Sequence, residues 1–355
     1  MPFELNEKLK NIEPYAPISG EYRIRLDANE SFISLSDEVC DAISQRIESL
    51  KFNRYPDPFA TELCSLFAKF YGIKSELVTA GNGSDELISV IMSGFLQKGD
   101  CVICLSPDFS MYEFYSHIVE SNCIVVRKRD DFTVDIDEVI SNANESNARM
   151  IIFSNPCNPT SIGIKREDVI KLIKRVSSLV VLDEAYMDFY DQSLINEVEQ
   201  YDNLIILRTC SKALGMAAIR LGFAISNKKL TYTIRCVKSP YNVNSVTQAI
   251  GCAVFSNPDY IRRSIERIKT SRENLVEEMK KLEKNYPQEL KIIANSANFV
   301  YTRFHKAEDL FHFLMNEGII VRRFGDYLRI TAGRNYENSE LIFAIDKFLS
   351  GGETL

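Results

Sequence analysis

Polar side chains follow three short apolar runs in the middle of the chain, at the points where strands would end. They are Asn158 after residues 150–153, Asp183 and Tyr186 after residues 179–182, and Thr209, Ser211 and Lys212 after residues 204–207. In open α/β sheets, ligands bind at the carboxyl ends of the strands, so we expect these side chains to gather at one edge. An amine, a carboxylate, an amide and hydroxyls placed together there are suited to nucleophilic chemistry on a bound molecule.

A glycine-rich segment, Gly-Asn-Gly-Ser-Asp at residues 81–85, follows a fourth strand-type stretch at 77–80 and opens an almost wholly apolar helix, predicted at 86–96. Glycines with Ser84 at a helix start expose backbone N–H groups, which suits a phosphate. Single residues have plainer interpretations, with Asp183 as a turn residue, Lys212 as a solvated lysine and Arg220 as an ion-paired strand residue. Their joint occurrence at strand ends favours a binding site.

Pyridoxal phosphate chemistry fits this set of side chains. The cofactor needs a lysine amine for covalent attachment, a carboxylate at the pyridine nitrogen, donors at the 3′-oxygen, and a cationic, hydroxyl-rich cup for the phosphate. In that order, the candidates are Lys212, Asp183, Asn158 with Tyr186, and Ser84, Thr209 and Ser211 with Arg220. The sequence therefore predicts pyridoxal 5′-phosphate as the cofactor.

Eight motifs spread over nearly the whole chain match one known group of enzymes. They lie at residues 26–30 (LDANE), 53–58 (NRYPDP), 81–86, 155–160, 183–189 (DEAYMDF), 211–223, 297–300 and 328–331. With these motifs the chain resembles the fold-type-I, aspartate-aminotransferase-like enzymes that use pyridoxal phosphate. Within that group it is most similar to the histidinol-phosphate aminotransferase family, which implies a role in histidine biosynthesis.

The resemblance implies a role for each matching residue of the cofactor site. Lys212 would carry the cofactor and move a proton, Asp183 would pair with the pyridine nitrogen, and Asn158 and Tyr186 would bind the 3′-oxygen. Phe109 matches the aromatic residue that stacks on the ring. The phosphate would be held by Gly83, Ser84, Asp85, Thr209, Ser211 and Arg220. Tyr55 would reach the phosphate of the neighbouring subunit, which implies a homodimer with shared active sites.

The resemblance also implies the substrates and the residues that bind them. Arg329 would bind the substrate's anionic end, Arg322 its phosphate and Tyr15 its side chain, with Asn29 nearby. A guanidinium suits carboxylate and phosphate alike, so one site would accept glutamate or 2-oxoglutarate and histidinol phosphate in turn. Five residues depart from the family pattern, namely Ser31, Phe32, Asp108, Ser161 and Ala218.

Two other enzymatic functions remain open at this point. The chain would then be an aminotransferase for another small phosphorylated amine, or a decarboxylase of a phosphorylated amino acid such as threonine phosphate. A non-enzymatic regulator that binds pyridoxal phosphate would need a DNA-binding domain, for which the chain has no room.

The elements that position these residues indicate an α/β fold of the pyridoxal-phosphate transferase type I. Short apolar runs at 101–105, 150–153, 179–182, 204–207 and 219–225 are typical of strands, and residues 166–176 have helical spacing. This alternation predicts a mixed, mostly parallel sheet flanked by helices. We expect a large cofactor-binding domain over 46–244 and a smaller α/β domain formed by 1–45 and 245–355.

The C-terminal part predicts the elements of that smaller domain. A long amphipathic helix is expected at 260–286. It is followed by a strand at 297–303, a helix at 307–316, strands at 319–323 and 327–331, and a last helix at 339–349.

Composition limits the remaining function classes. The 355 residues carry a formal net charge of −7 and include nine cysteines and three histidines. An acidic chain argues against nucleic-acid binding, and scattered cysteines without framework spacing fit a cytoplasmic protein. No apolar run reaches the roughly 18–20 residues of a membrane helix, so no membrane partner is expected. Three histidines without a ligand motif predict no metal site.

Overall fold

Two β-sheets surrounded by helices form most of this computed structural model, which describes residues 3–10, 12–14 and 16–351. The strands are β1 (Ile24–Arg25), β2 (Val78–Gly81), β3 (Cys101–Ser106), β4 (Asn122–Arg127), β5 (Met150–Ser154), β6 (Leu179–Asp183), β7 (Leu204–Thr209), β8 (Gly222–Ser226), β9 (Leu290–Ala294), β10 (Phe299–Phe304), β11 (Ile319–Ile320), β12 (Arg322–Phe324) and β13 (Tyr327–Thr331). The helices are α1 (Asp37–Glu48), α2 (Thr61–Tyr71), α3 (Gly83–Phe95), α4 (Met111–Ile118), α5 (Ile136–Glu145), α6 (Arg166–Arg175), α7 (Lys228–Val237), α8 (Ser245–Phe255), α9 (Pro258–Asn285), α10 (Ala307–Asn316) and α11 (Asn335–Leu349). None of the helices within these residues is long and apolar enough to cross a membrane.

The larger sheet has seven strands in the order β2-β8-β7-β6-β5-β3-β4. The pairings from β4 to β7 are parallel, while β8 runs antiparallel to both β7 and β2. Side chains on the inner strands alternate between two buried apolar clusters, one on each face of the sheet. Parallel strands covered by helices on both faces are apolar throughout, which explains the continuous runs in the sequence.

The second sheet has four antiparallel strands in the order β12-β13-β10-β9. It shares a separate apolar cluster with α10, α11 and the second half of α9. The short strand β1 pairs in parallel with β11, so the N-terminal segment joins this region. The segment that follows β1 can therefore reach the edge of the larger sheet at which β6 and β7 end.

Most of the predicted elements are confirmed, and the exceptions have local causes. The strand predicted at 219–225 begins only at Gly222, because Arg220 adopts a left-handed conformation with φ of 50°. The helix predicted at 86–96 begins earlier, at Gly83, and the last helix begins at Asn335 rather than at 339. The strand predicted at 319–323 is divided into β11 and β12.

The buried clusters bear on the division into two domains, which stays a prediction. Residues of α8 and of the first half of α9, such as Phe255 and Ile268, pack in the cluster of the larger sheet. Leu275 and Met279 in the second half of α9 pack with the smaller sheet. The packing therefore favours a boundary inside α9 over one at residue 244.

Candidate active site

Asp183 ends β6 with its carboxyl group buried, at 4% exposure. The hydroxyl of Tyr112 donates a hydrogen bond to one carboxyl oxygen at 2.8 Å, and the backbone N–H of Ala185 donates to the other at 3.0 Å. Burial raises the pKa of Asp183 to about 6. A buried carboxyl group with two neutral donors is stabilised in its charged form by a cationic donor, and a protonated ring nitrogen is such a group.

Lys212 lies in the turn after β7, in the same region of the sheet edge. Its ammonium group donates to the backbone carbonyl of Ala28 at 2.9 Å and lies 5.9 Å from the centre of the Tyr186 ring. Burial lowers the pKa of Lys212 to about 8, and the positive charges of Arg329 and Arg220 act in the same direction. A larger neutral fraction makes the amine a better nucleophile.

Asn29 connects the two sheets at this site. Its side-chain amide donates to the hydroxyl of Tyr186 at 2.9 Å, and its backbone N–H donates to the hydroxyl of Thr331 in β13 at 3.1 Å. Asn29 has a positive φ of 54°, a conformation that asparagine tolerates better than most residues. The N-terminal segment thus holds Tyr186 next to the strand that carries Arg329.

A cup of hydroxyl groups and one guanidinium lies at the N-terminus of α3. The hydroxyl of Thr209 donates to that of Ser211 at 3.1 Å, and Arg220 donates to Ser211 at 3.5 Å. A Cβ atom on Gly83 would lie 3.0 Å from the guanidinium of Arg220, and φ of Gly83 is +87°. A Cβ atom on Gly222 would lie 2.4 Å from the backbone nitrogen of Ser84. The two glycines allow this close approach, and the resulting arrangement at the helix start suits an anion.

Aromatic rings and Asp85 border the site on the side of α4. The Phe109 and Tyr112 rings meet edge to face with 5.5 Å between their centres. Asp85 accepts a hydrogen bond from Tyr115 at 3.2 Å. Sequence reasoning missed Tyr112, although its position one helical turn after Phe109 is a signal that would have found it.

Arg329 lies on β13 directly opposite Arg322 on β12, so both side chains leave the same face of the smaller sheet. The guanidinium of Arg329 donates to the side-chain oxygen of Asn158 and to the backbone carbonyl of Asp27. Another predicted site residue, Tyr55, is not brought to this position. Tyr55 is 81% exposed and stacks on Tyr241 with 4.6 Å between ring centres, and Tyr15 lies outside the described residues.

A buried ion-pair cluster that sequence reasoning did not assign begins one residue after Asp183. Arg208 in β7 donates to Glu184 at 2.9 Å and to Asp188 at 3.0 Å. The hydroxyl of Ser193 donates to Glu184 at 2.7 Å, and that of Tyr71 donates to Asp188 at 2.9 Å. The guanidinium of Arg208 thus pairs with both carboxylates, which is typical of structural support.

The residues present fit pyridoxal phosphate. The buried carboxyl group of Asp183 suits a protonated ring nitrogen, and the cup around Gly83 and Arg220 suits a phosphate. The amine of Lys212 lies beside Tyr186 with a lowered pKa, as covalent attachment to an aldehyde requires.

Comparison with known proteins gives consistent matches over nearly the whole chain. A family model described as aminotransferase class I and II matches residues 22–345. A histidinol-phosphate aminotransferase of Clostridium kluyveri is 40% identical over 348 residues, covering 97% of this chain and 98% of that protein. One of Clostridium novyi is 42% identical over 342 residues, covering 95% of each.

A solved structure shows the same fold. The histidinol-phosphate aminotransferase of Sinorhizobium meliloti, crystallised in complex with pyridoxal 5′-phosphate, superposes with a TM-score of 0.84. The two sequences are 22% identical, and the match covers 93% of this chain and 92% of the other. Together with the family match, this confirms the predicted fold class.

Proposed function

The chain belongs to the aminotransferase class I and II family, and on that premise we propose that it transfers the amino group of histidinol phosphate to 2-oxoglutarate, which gives glutamate and the ketone that corresponds to histidinol phosphate, and that it catalyses the reverse reaction. It is a transaminase that depends on pyridoxal phosphate. Relatives of at least 40% identity over nearly the full chain carry the name histidinol-phosphate aminotransferase. The proposal places the enzyme in histidine biosynthesis.

The observation that carries the proposal is the placement of Lys212 and Asp183 at one edge of the sheet. When bound, pyridoxal phosphate supplies an aldehyde that exchanges with amines and a ring that withdraws electrons from the α-carbon. Asp183 keeps the ring nitrogen protonated by accepting its hydrogen bond. Lys212, with a pKa of about 8, would take the proton from the substrate's α-carbon at its Nζ atom and pass it to the carbon that the cofactor's aldehyde group supplies.

Asn158 and Tyr186 orient the ring through its 3′-oxygen in this proposal, and Phe109 stacks on its face. Gly83, Ser84, Asp85, Thr209, Ser211 and Arg220 hold the phosphate, with the helix start of α3 adding backbone donors. Because the phosphate cup and Asp183 grip opposite ends of the molecule, they fix the position of the reacting carbon relative to Lys212.

Substrate binding is assigned to the face of the smaller sheet that carries Arg329 and Arg322. Two guanidinium groups on neighbouring strands suit an anion at each end of a small molecule. Asn29 supports this face through Thr331 and Tyr186. Tyr15 is assigned to the substrate's side chain on the sequence resemblance alone.

We place the enzyme in the cytoplasm as a homodimer in which Tyr55 completes the partner's phosphate cup. All nine cysteines are free thiols, which fits a reducing compartment. Tyr55 and its stacking partner Tyr241 are both exposed aromatic side chains, which fits a surface that a second copy covers.

Spectroscopy and a substrate panel test the reaction. Addition of glutamate alone should convert the visible absorption of the bound cofactor to that of its amine form, and 2-oxoglutarate should reverse the change. Histidinol phosphate should then give the highest kcat/KM in a panel of phosphorylated amines. A decarboxylase would instead release carbon dioxide from threonine phosphate and leave the spectrum with glutamate unchanged.

Mixing of inactive subunits tests the shared site. Lys212→Ala and Tyr55→Ala subunits are each expected to be inactive, and their hybrid dimer should contain one intact site and regain activity. Hybrid dimers that form without any activity would show that Tyr55 serves its own subunit.

A further inference from the structure

A buried ion pair lies beside the candidate active site, outside the residues assigned to it. The ammonium group of Lys128, just after the edge strand β4, lies 3.2 Å from a carboxylate oxygen of Asp108. Both side chains are only 2% exposed. Lys128 also donates to the backbone carbonyl of Pro107 at 2.8 Å and to the sulfur of Cys157 at 2.9 Å. Full burial of a charged pair is costly, so its position next to the site calls for an explanation.

The carboxylate of Asp108 connects this ion pair to two residues of the cofactor site. It accepts a hydrogen bond from the backbone N–H of Phe109 at 2.8 Å and another from the hydroxyl of Ser154. The same Ser154 oxygen accepts the backbone N–H of Asn158 at 3.2 Å. Ser154 ends β5 and is the register partner of Asp183. One continuous network therefore runs from Lys128 to the backbones of Phe109 and Asn158.

We propose that Lys128 is a positioning residue of the active site. By holding Asp108 in place, it fixes the backbones of Phe109 and Asn158, and through them the Phe109 ring and the Asn158 side-chain amide. This inference rests on the proposed function, in which Phe109 stacks on the cofactor ring and Asn158 binds its 3′-oxygen. Lys128 touches neither substrate nor cofactor in this account.

The positive charge of Lys128 is what keeps the Asp108 carboxylate in its bonded arrangement. Without it, the buried carboxylate would take up a proton or turn toward solvent. Either change removes an acceptor from Ser154 or Phe109, because a protonated carboxyl group donates at one of its oxygens. The loops after β3 and β5 would then lose the group that links them.

Lys128→Met tests this role, because methionine keeps the length of the side chain and removes its charge. Cofactor binding is measured by titrating the cofactor-free protein with pyridoxal phosphate and following fluorescence. We expect the dissociation constant to rise and kcat to fall by about tenfold each, as for the loss of an anchoring hydrogen bond to a charged group. The KM of the amine substrate should change less, because Arg329 and Arg322 lie on the other sheet.

Three further variants separate positioning from general stability. Lys128→Arg keeps the charge and should restore part of the cofactor affinity. Ser154→Ala breaks the network at its last link without exposing a buried charge, and should weaken cofactor binding in the same direction. Lys347→Met removes a 3.0 Å ion pair with Glu317, which joins α11 to the end of α10. This variant should leave cofactor affinity unchanged.

The proposal is wrong if Lys128→Met lowers the unfolding temperature of the cofactor-free protein while its cofactor affinity and kcat equal those of wild type. If Lys128→Met does not fold, wild-type affinity and kcat in Ser154→Ala contradict the proposal equally. A wild-type protein that binds no pyridoxal phosphate would instead overturn the proposed function. The two failures are therefore distinguishable.

Discussion

Two neighbouring carboxylates, Asp183 and Glu184, are both buried at the end of β6 but have different surroundings. They are 4% and 0% exposed. Glu184 is bonded to Arg208 and Ser193 within the chain. Asp183 accepts bonds from Tyr112 and Ala185, which are neutral donors.

This difference in partners indicates that Glu184 supports the structure, whereas Asp183 is suited to bind a ligand. In the cluster around Arg208, the guanidinium is the counter-charge of both Glu184 and Asp188, so these carboxylates have a cationic partner without any added molecule. Burial leaves Asp183 with a pKa raised to about 6, so a cation such as the ring nitrogen of the proposed cofactor would stabilise its charged form. Strongly perturbed groups of this kind cluster at functional sites.

Removal of the Arg208 guanidinium should destabilise the folded protein. Arg208→Met leaves Glu184 and Asp188 buried without a counter-charge, and we expect a loss of about 3–5 kcal/mol in the free energy of unfolding. Urea unfolding of the cofactor-free protein measures it. Arg46→Met removes an exposed ion pair with Glu62, and should cost no more than about 1 kcal/mol. Equal effects of the two variants would contradict the assignment.

Neutralising Asp183 should lower turnover, whereas neutralising Glu184 should leave turnover nearly unchanged. Asp183→Asn cannot hold a protonated ring nitrogen, and we expect kcat to fall by about 10²–10³. Glu184→Gln should mainly lower stability, with kcat per folded molecule close to wild type. Steady-state kinetics on samples with measured cofactor content give both values. Near-native turnover of Asp183→Asn would make that residue a structural turn residue.

Asp183→Asn, which should lower turnover, should raise the stability of the cofactor-free protein near neutral pH. The folded pKa of about 6 exceeds the usual aspartate value, so the folded state binds the proton more tightly than the unfolded state. The free energy of unfolding therefore falls as the pH rises from the usual aspartate pKa to the folded pKa of about 6. Asp183→Asn should be more stable than wild type near neutral pH by up to about 3 kcal/mol, and equally stable near pH ~4. A constant difference across this range would contradict the pKa assignment.

Substrate binding should depend on the smaller sheet and leave the carboxylate pair untouched. Arg329→Ala removes a guanidinium assigned to the substrate's anionic end, and we expect KM to rise by about one to two powers of ten for both glutamate and histidinol phosphate. Arg303→Ala, an exposed position of β10 in the same sheet, is the control. A rise for only one of the two substrates would show that they do not share this arginine.

The sequence was sufficient for the strand ends, since apolar runs mark β5, β6 and β7 and polar residues follow each of them. Parallel pairing then brings Asp183 and Lys212 to one edge, as predicted. The candidate anion cup could also be predicted from the sequence, because glycines next to Ser84 at a helix start indicate exposed backbone N–H groups.

Other features depend on contacts between distant residues, which leave no local signal. Arg208 sits in a buried strand, and its partners are defined only when β6 and β7 pair. Lys128 resembles any solvated lysine in the sequence, and only the fold brings it to Asp108. The left-handed conformation of Arg220 makes β8 begin at Gly222 rather than at residue 219. The spacing of apolar residues does not indicate such a conformation.

Borohydride reduction of the wild-type enzyme loaded with pyridoxal phosphate, followed by peptide mapping, tests the central claim most directly. Reduction fixes the cofactor permanently to the amine that carries it. We predict one labelled site, Lys212, and no label in Lys212→Ala under the same conditions. A label on any other lysine, or an undiminished label in Lys212→Ala, would contradict the assignment of this edge of the sheet as the active site.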